Sequence, residues 1–185
     1  MPRRATAPGP PSSRLAALIE GDLSGYRREA GDGRRVRFVP AGDGPVFELA
    51  SRVEKRFLGR TEIAVFRAGI GVSLADESIV ALRHTGGLKR TGVTADVVSG
   101  GESGQRVAAA LASKPSLVEA LMPLDFTRFE VVSGPTGCHV EVELMGASHV
   151  AIALPPIRSY VHLHPDQRLA MEMGLDEVHR VLEAL

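Results

Sequence analysis

From Cys138 to Met145 the chain alternates strictly: Val140, Val142 and Leu144 fall on one parity, His139, Glu141 and Glu143 on the other. Successive side chains of a strand point to opposite faces, so this segment reads as a β-strand with one covered face and one wet face. A strand buried on both sides would instead read as one apolar run. The chain is therefore expected to hold an antiparallel sheet packed on one side only. A turn, Gly134-Pro-Thr-Gly137, precedes the strand, and Phe126 to Val132 reads as a further strand before it. Val150 to Leu154 and Ser159 to Leu163 complete a meander.

Helical spacing appears on either side of such strands. Leu15, Leu18, Ile19 and Leu23 predict a first helix over 12–30, capped by Ser12 or Ser13. A short strand follows over 35–39. Pro45 with Val46, Leu49, Ala50, Val53 and Phe57 predicts a helix over 45–58 that Gly59 terminates. Strands are expected over 61–68, 70–75, 78–84 and 92–98. Val107–Leu111 and Leu117–Leu121 read as helices, the second with a capping box Ser116-x-x-Glu119. Pro165 opens a last helix that turns Leu175, Val178, Leu182 and Leu185 to the core.

The fold class is thus α+β: an antiparallel sheet flanked by about four helices. Phe57–Phe66 and Leu121–Val131 share a loose pattern of apolar helix end, loop and strand. That pattern suits two β-meanders related by duplication, with half-repeats about 45–100 and 101–185. At 185 residues one domain over 12–185 is expected, after a disordered tail over 1–11. The first fourteen residues hold four prolines and no apolar stretch, so no secretory signal is expected. No run of eighteen apolar residues exists, so no membrane span is expected and cytoplasmic residence is the default.

Composition narrows function. Six Phe, two Tyr and no Trp leave little to stack bases or sugars. The single Cys138 excludes an internal disulfide and any multi-cysteine zinc site, and its apolar setting reads as a buried thiol. Net charge is zero, but residues 1–60 carry +5 and residues 61–185 carry −5. That asymmetry permits homo-oligomers, and Arg27, Arg28, Arg34, Arg35 and Arg37 form a basic segment able to meet nucleic-acid phosphates.

The densest polar chemistry lies between Ala153 and Asp166. Arg158, Tyr160, His162 and His164 occupy alternate positions, so a strand presents them on one face. His162-Leu-His164-Pro-Asp166 resembles the opening of the His-x-His-x-Asp-His signature of metallo-β-lactamase-type hydrolases, which bind metal through such residues. Gln167 stands where the last histidine belongs, and only 19 residues follow Asp166, so membership is not expected. His162 and His164, with a third ligand from His139, His149 or Asp166, remain the metal-ligand candidates of a metal-dependent hydrolase. The leading reading is a non-enzymatic ligand-binding or protein-interaction domain without a cofactor. Its site is Arg158, Tyr160 and His162, taking a small anionic ligand or a protein partner. The stretch Ser99-Gly-Gly-Glu-Ser-Gly-Gln105 lacks the Lys-Ser/Thr of a phosphate loop and reads as a connection. Over residues 120–182, the meander leading through Pro155-Pro-Ile-Arg-Ser-Tyr-Val-His-Leu163 into a helix is similar to uncharacterised bacterial families of unknown function. That resemblance implies no activity and carries over no residue.

Overall fold

The structure, a computed structural model, describes residues 8–31, 33, 35–57, 59–86, 89–153 and 155–185. Its elements are α1 (Ser13–Asp22), β1 (Tyr26–Ala30), β2 (Val36–Pro40), β3 (Phe47–Arg56), β4 (Gly59–Gly69), β5 (Ser78–Thr85) and β6 (Gly92–Ser99). There follow α2 (Gly101–Ala112), α3 (Pro115–Leu121), β7 (Phe126–Ser133), β8 (His139–Ile152), β9 (Ile157–Val161) and α4 (Pro165–Glu183). All nine strands form one antiparallel sheet, ordered β1-β2-β3-β4-β8-β7-β5-β6, with β9 paired to β8. The expected α+β class with an antiparallel sheet and four helices is the observed one.

Strand β8 is long enough to serve two neighbours on one edge. His139–Leu144 pairs with β7 and Ser148–Ile152 with β9, while β4 runs along both halves. Between the halves the register with β4 shifts, with Glu62 opposite His149 but Ala64 opposite Leu144. The extra residues bend the strand there. Ala147 sits in this bend, fully buried, with φ 66°, a left-handed conformation that costs an L-residue about 1–2 kcal/mol. The Ser148 hydroxyl donates to the Leu144 carbonyl at 2.7 Å and closes the bend.

One face of the sheet carries Phe38, Phe47, Leu49, Phe66, Leu82, Phe129, Val140 and Val142, all buried in a single cluster with the apolar sides of the four helices. Phe47 and Phe66 meet edge-on with centroids 5.9 Å apart. At the N-terminal end, Gly9 bridges Ser51 of β3, and the buried Glu62 carboxylate accepts from the Ser12 amide, the Ser12 hydroxyl and the Ser51 hydroxyl. Ser12 Oγ in turn accepts from the Leu15 amide, so one buried acid fixes the start of α1.

Several expectations change. The stretch expected as a helix over 45–58 is β3. Its sequence satisfies both periods, since Phe47, Leu49, Ser51 and Val53 alternate with Glu48, Ala50, Arg52 and Glu54. Pairing along both edges, with β2 and β4, favours the strand. Gly59 opens the next strand, where a Cβ would meet the Ala151 carbonyl oxygen at 2.9 Å. Gly59–Phe66 therefore lies within β4, while Leu121–Val131 runs from the end of α3 into β7, so the two stretches differ in local structure. The helix expected over 12–30 stops at Asp22, and Tyr26–Ala30 is β1. Residues 70–75 are not a strand, and the strands expected at 138–145 and 150–154 merge into β8. Helix α3 starts at Pro115, and Ser116 donates to Glu177 of α4 instead of capping. Leu185 is exposed. The tail before Pro8, Asp32 of a turn, Arg34 of the basic segment and Leu154 lie outside the described residues.

Candidate functional site

Asp22, the last residue of α1, gathers much of the polar tract expected to form a site. Tyr160 Oη donates to Asp22 Oδ2 at 2.6 Å, and His162 Nδ1 lies 2.9 Å from Asp22 Oδ1. The Leu163 amide also donates to Oδ2, at 2.8 Å. A carboxylate at a helix C-terminus opposes the helix dipole, and these contacts compensate it. Burial, then the bond to Asp22, pushes the Tyr160 hydroxyl well above its usual range. Arg158 lies exposed on β9 opposite Ala151, and its side chain makes no hydrogen bond or ion pair among the described residues. His164 caps α4, and its amide donates to Gln167 Oε1 at 3.4 Å. Gln167, the residue that departs from the hydrolase signature, thus serves the helix start. Asp166 lies exposed in the first turn of α4. The structure brings Tyr160 and His162 together and leaves Arg158 and His164 apart from them. Among the described residues no group of three or more His, Cys, Asp or Glu is placed to hold a metal ion.

The basic segment is dispersed along β1 and β2. Arg27 lies 3.0 Å from Glu29, and Arg28 lies 3.3 Å from Glu20. Arg35 and Arg37 point to the sheet face that no helix of the described residues covers, and there they lie beside residues from strands remote in sequence.

That open face carries two charge clusters. In the first, Arg52 grips Glu143 with two bonds, Nε to Oε1 at 3.0 Å and a terminal nitrogen to Oε2 at 2.8 Å. Arg52 also meets Glu54, and Arg128 reaches Glu143 and Glu130, so the buried Glu143 carboxylate is enclosed by cations. Both guanidinium groups are held more firmly charged than usual, chiefly by these bonds.

The second cluster surrounds a groove of about 890 Å³, within the range of small-molecule sites. Cross-strand register puts Arg37 beside Glu48, Glu48 beside Arg67, and Arg67 beside Glu141. Arg35 takes both acids, lying 2.9 Å from Glu48 and 3.5 Å from Glu141. Arg37 and Arg67 are left without a carboxylate within 4.0 Å among the described residues. Arg67 donates instead to His139 Nδ1 at 3.3 Å. Burial, then the adjacent Arg67 charge, lowers the His139 pKa below 6.5, so the ring is neutral at pH 7 with Nδ1 as acceptor and its proton on Nε2.

The far end of the groove is lined by Glu77, Ser99 and Thr136. Ser78 and Ser133 also line it, but their hydroxyls bond each other at 2.6 Å. Cys138, buried as expected, borders the groove. Gly100, just before α2, serves packing: with φ 108° there, a Cβ would overlap Ser78 at 2.3 Å. Sequence reasoning named Arg35, Arg37 and His139 separately but missed Arg67. The missed signal was a lone arginine inside the apolar run Ile63-Ala-Val-Phe-Arg67-Ala68.

No curated protein and no solved structure matches the chain. A family model does match, over residues 21–182, from within α1 to near the end of α4 and so including both polar clusters and the groove. The chain belongs to that family, the proteins of unknown function DUF3156.

Proposed function

We propose that the protein is a non-enzymatic binding protein that takes a small anionic ligand in the groove of the open sheet face, through Arg37 and Arg67. The observation that carries this reading is the commitment of Glu48 and Glu141 to Arg35, which leaves those two guanidinium groups without a carboxylate partner. An arginine without a carboxylate partner on a concave surface suits carboxylate or phosphate, and Arg67 keeps donors beyond the one that meets His139. Neutral His139 adds an Nε2–H donor of the kind an anion needs. Binding fits the groove better than catalysis, because the serine pair at its far end is bonded to itself and Cys138 is buried. Cytoplasmic residence, where small organic anions are plentiful, accords with the same reading. The site thereby moves from Arg158, Tyr160 and His162 to the groove.

Thermal unfolding in the presence of inorganic phosphate and of citrate tests it. At a hundred times its Kd a bound anion adds about 2.7 kcal/mol, worth about 5–10 °C in Tm for a domain of this size. A rise that Arg37→Met and Arg67→Met each diminish supports the proposal. No rise with either anion, or the same rise in both variants, removes it.

A further inference from the structure

Strand β6 ends the sheet, and among the described residues it pairs only with β5, which leaves its outer edge unpaired. Besides that ladder, no backbone bond of residues 93–98 is made to any described residue. The sheet has two further edges, and each differs. Strand β1 spans five residues and carries Arg27, Arg28 and Glu29, while β9 spans five residues. Strand β6 spans eight, Gly-Val-Thr-Ala-Asp-Val-Val-Ser, with Asp96 its sole charge. It holds no lysine or proline, and Val97 and Val98 are 40% and 55% exposed. Long apolar edges pair with other strands unless they are blunted; here the register with β5 shifts at Val98, and Gly92–Val97 before it stays in regular register.

We infer that β6 is a dimerisation edge, pairing antiparallel with β6 of a second copy of this chain about a two-fold axis at Ala95. A two-fold antiparallel pair must be centred on a residue, because opposite residues share a face. Centring on Asp96 would set the two carboxylates against each other. Centring on Ala95 sets Val93 against Val97 of the other copy and Thr94 against Asp96, so that each carboxylate meets a hydroxyl. The strand is self-complementary in that register alone among those that use most of its length. A zero net charge removes long-range repulsion between copies. The inference is independent of the anion site, since it uses the edge and not the groove.

Sedimentation velocity with charge variants at Thr94, an exposed position opposite Arg83 in the same chain, provides the test. Thr94→Asp places like charges opposite each other twice and is expected to raise the dimer Kd at least about tenfold, whereas Thr94→Lys pairs with Asp96 and lowers it. Ala95→Cys supplies a second readout, because Cys138, the native cysteine, is buried. Mild oxidation is expected to link two copies through position 95, and Val93→Cys is expected not to self-link. A monomeric wild-type protein, equal Kd values for the two Thr94 variants, or equal linking at 93 and 95 would overturn the inference.

Discussion

Arg67 turns to His139, across 3.3 Å, although Glu48 and Glu141 flank it in the sheet. The reason lies one strand further out, where Arg35 reaches both acids at once. A third arginine thereby sets the charge state of the groove without being its open cation.

His139 has a folded pKa below its unfolded value of 6.5, through burial and then Arg67. His84 is lowered too, by burial, its Nε2 held 3.1 Å from the Leu121 carbonyl. Both are neutral in either state above 6.5, so their contribution is then complete. Below 6.5 the unfolded chain takes up protons first, and stability falls until pH drops past the folded values. Melting at pH 7 and pH 5 should show the loss. Arg67→Met removes the nearby positive charge and should raise the His139 pKa, read by NMR, part of the way back to 6.5. A wild-type His139 titrating above 6.5 would contradict the geometry.

Asp22→Ala takes the partner from Tyr160, His162 and the Leu163 amide, so denaturant unfolding should show a loss of about 2–3 kcal/mol. Arg158→Ala on the same strand should change stability by less than about 0.5 kcal/mol. Equal effects would mean that Asp22 is not the anchor of β9.

Glu62→Ala strips one acceptor group from three donors at the start of α1. A cost of about 2–4 kcal/mol is expected, and about half of that for Glu62→Gln, which keeps one acceptor oxygen. Hydrogen exchange should localise the loss to α1 and to the Gly9–Ser51 bridge. Exchange unchanged there would sink the assignment.

Arg52→Met should cost about 3 kcal/mol, because it leaves the buried Glu143 with one more distant cation, Arg128 at 3.6 Å, and the Thr127 hydroxyl at 3.5 Å. The double variant Arg52→Met, Glu143→Met should recover much of that loss. A single variant as stable as wild type would show that the pair contributes nothing.

The strictly alternating β8 was legible because one covered face leaves a period of two that nothing else produces. Strand β3 was not, since Phe47–Arg56 supports both periods and only its two neighbours decide between them. Strand β1 was hidden by the apparent continuation of α1, although Gly25, at φ 87°, marks the break. The tract Arg158–His164 was legible as a row of polar groups but not as an anchor, because Asp22 lies about 140 residues earlier in the chain. The groove was legible only in pieces. Arg37, Arg67 and His139 belong to β2, β4 and β8, and antiparallel order alone makes them neighbours.

If Arg37 and Arg67 hold an anion, as proposed, arginine Nε–H resonances in NMR report on it most directly. Titration with citrate should shift the Arg37 and Arg67 side-chain signals and the His139 ring, with Arg52 and Arg128 unmoved. Shifts spread evenly over all arginines, or none at all, would contradict the account.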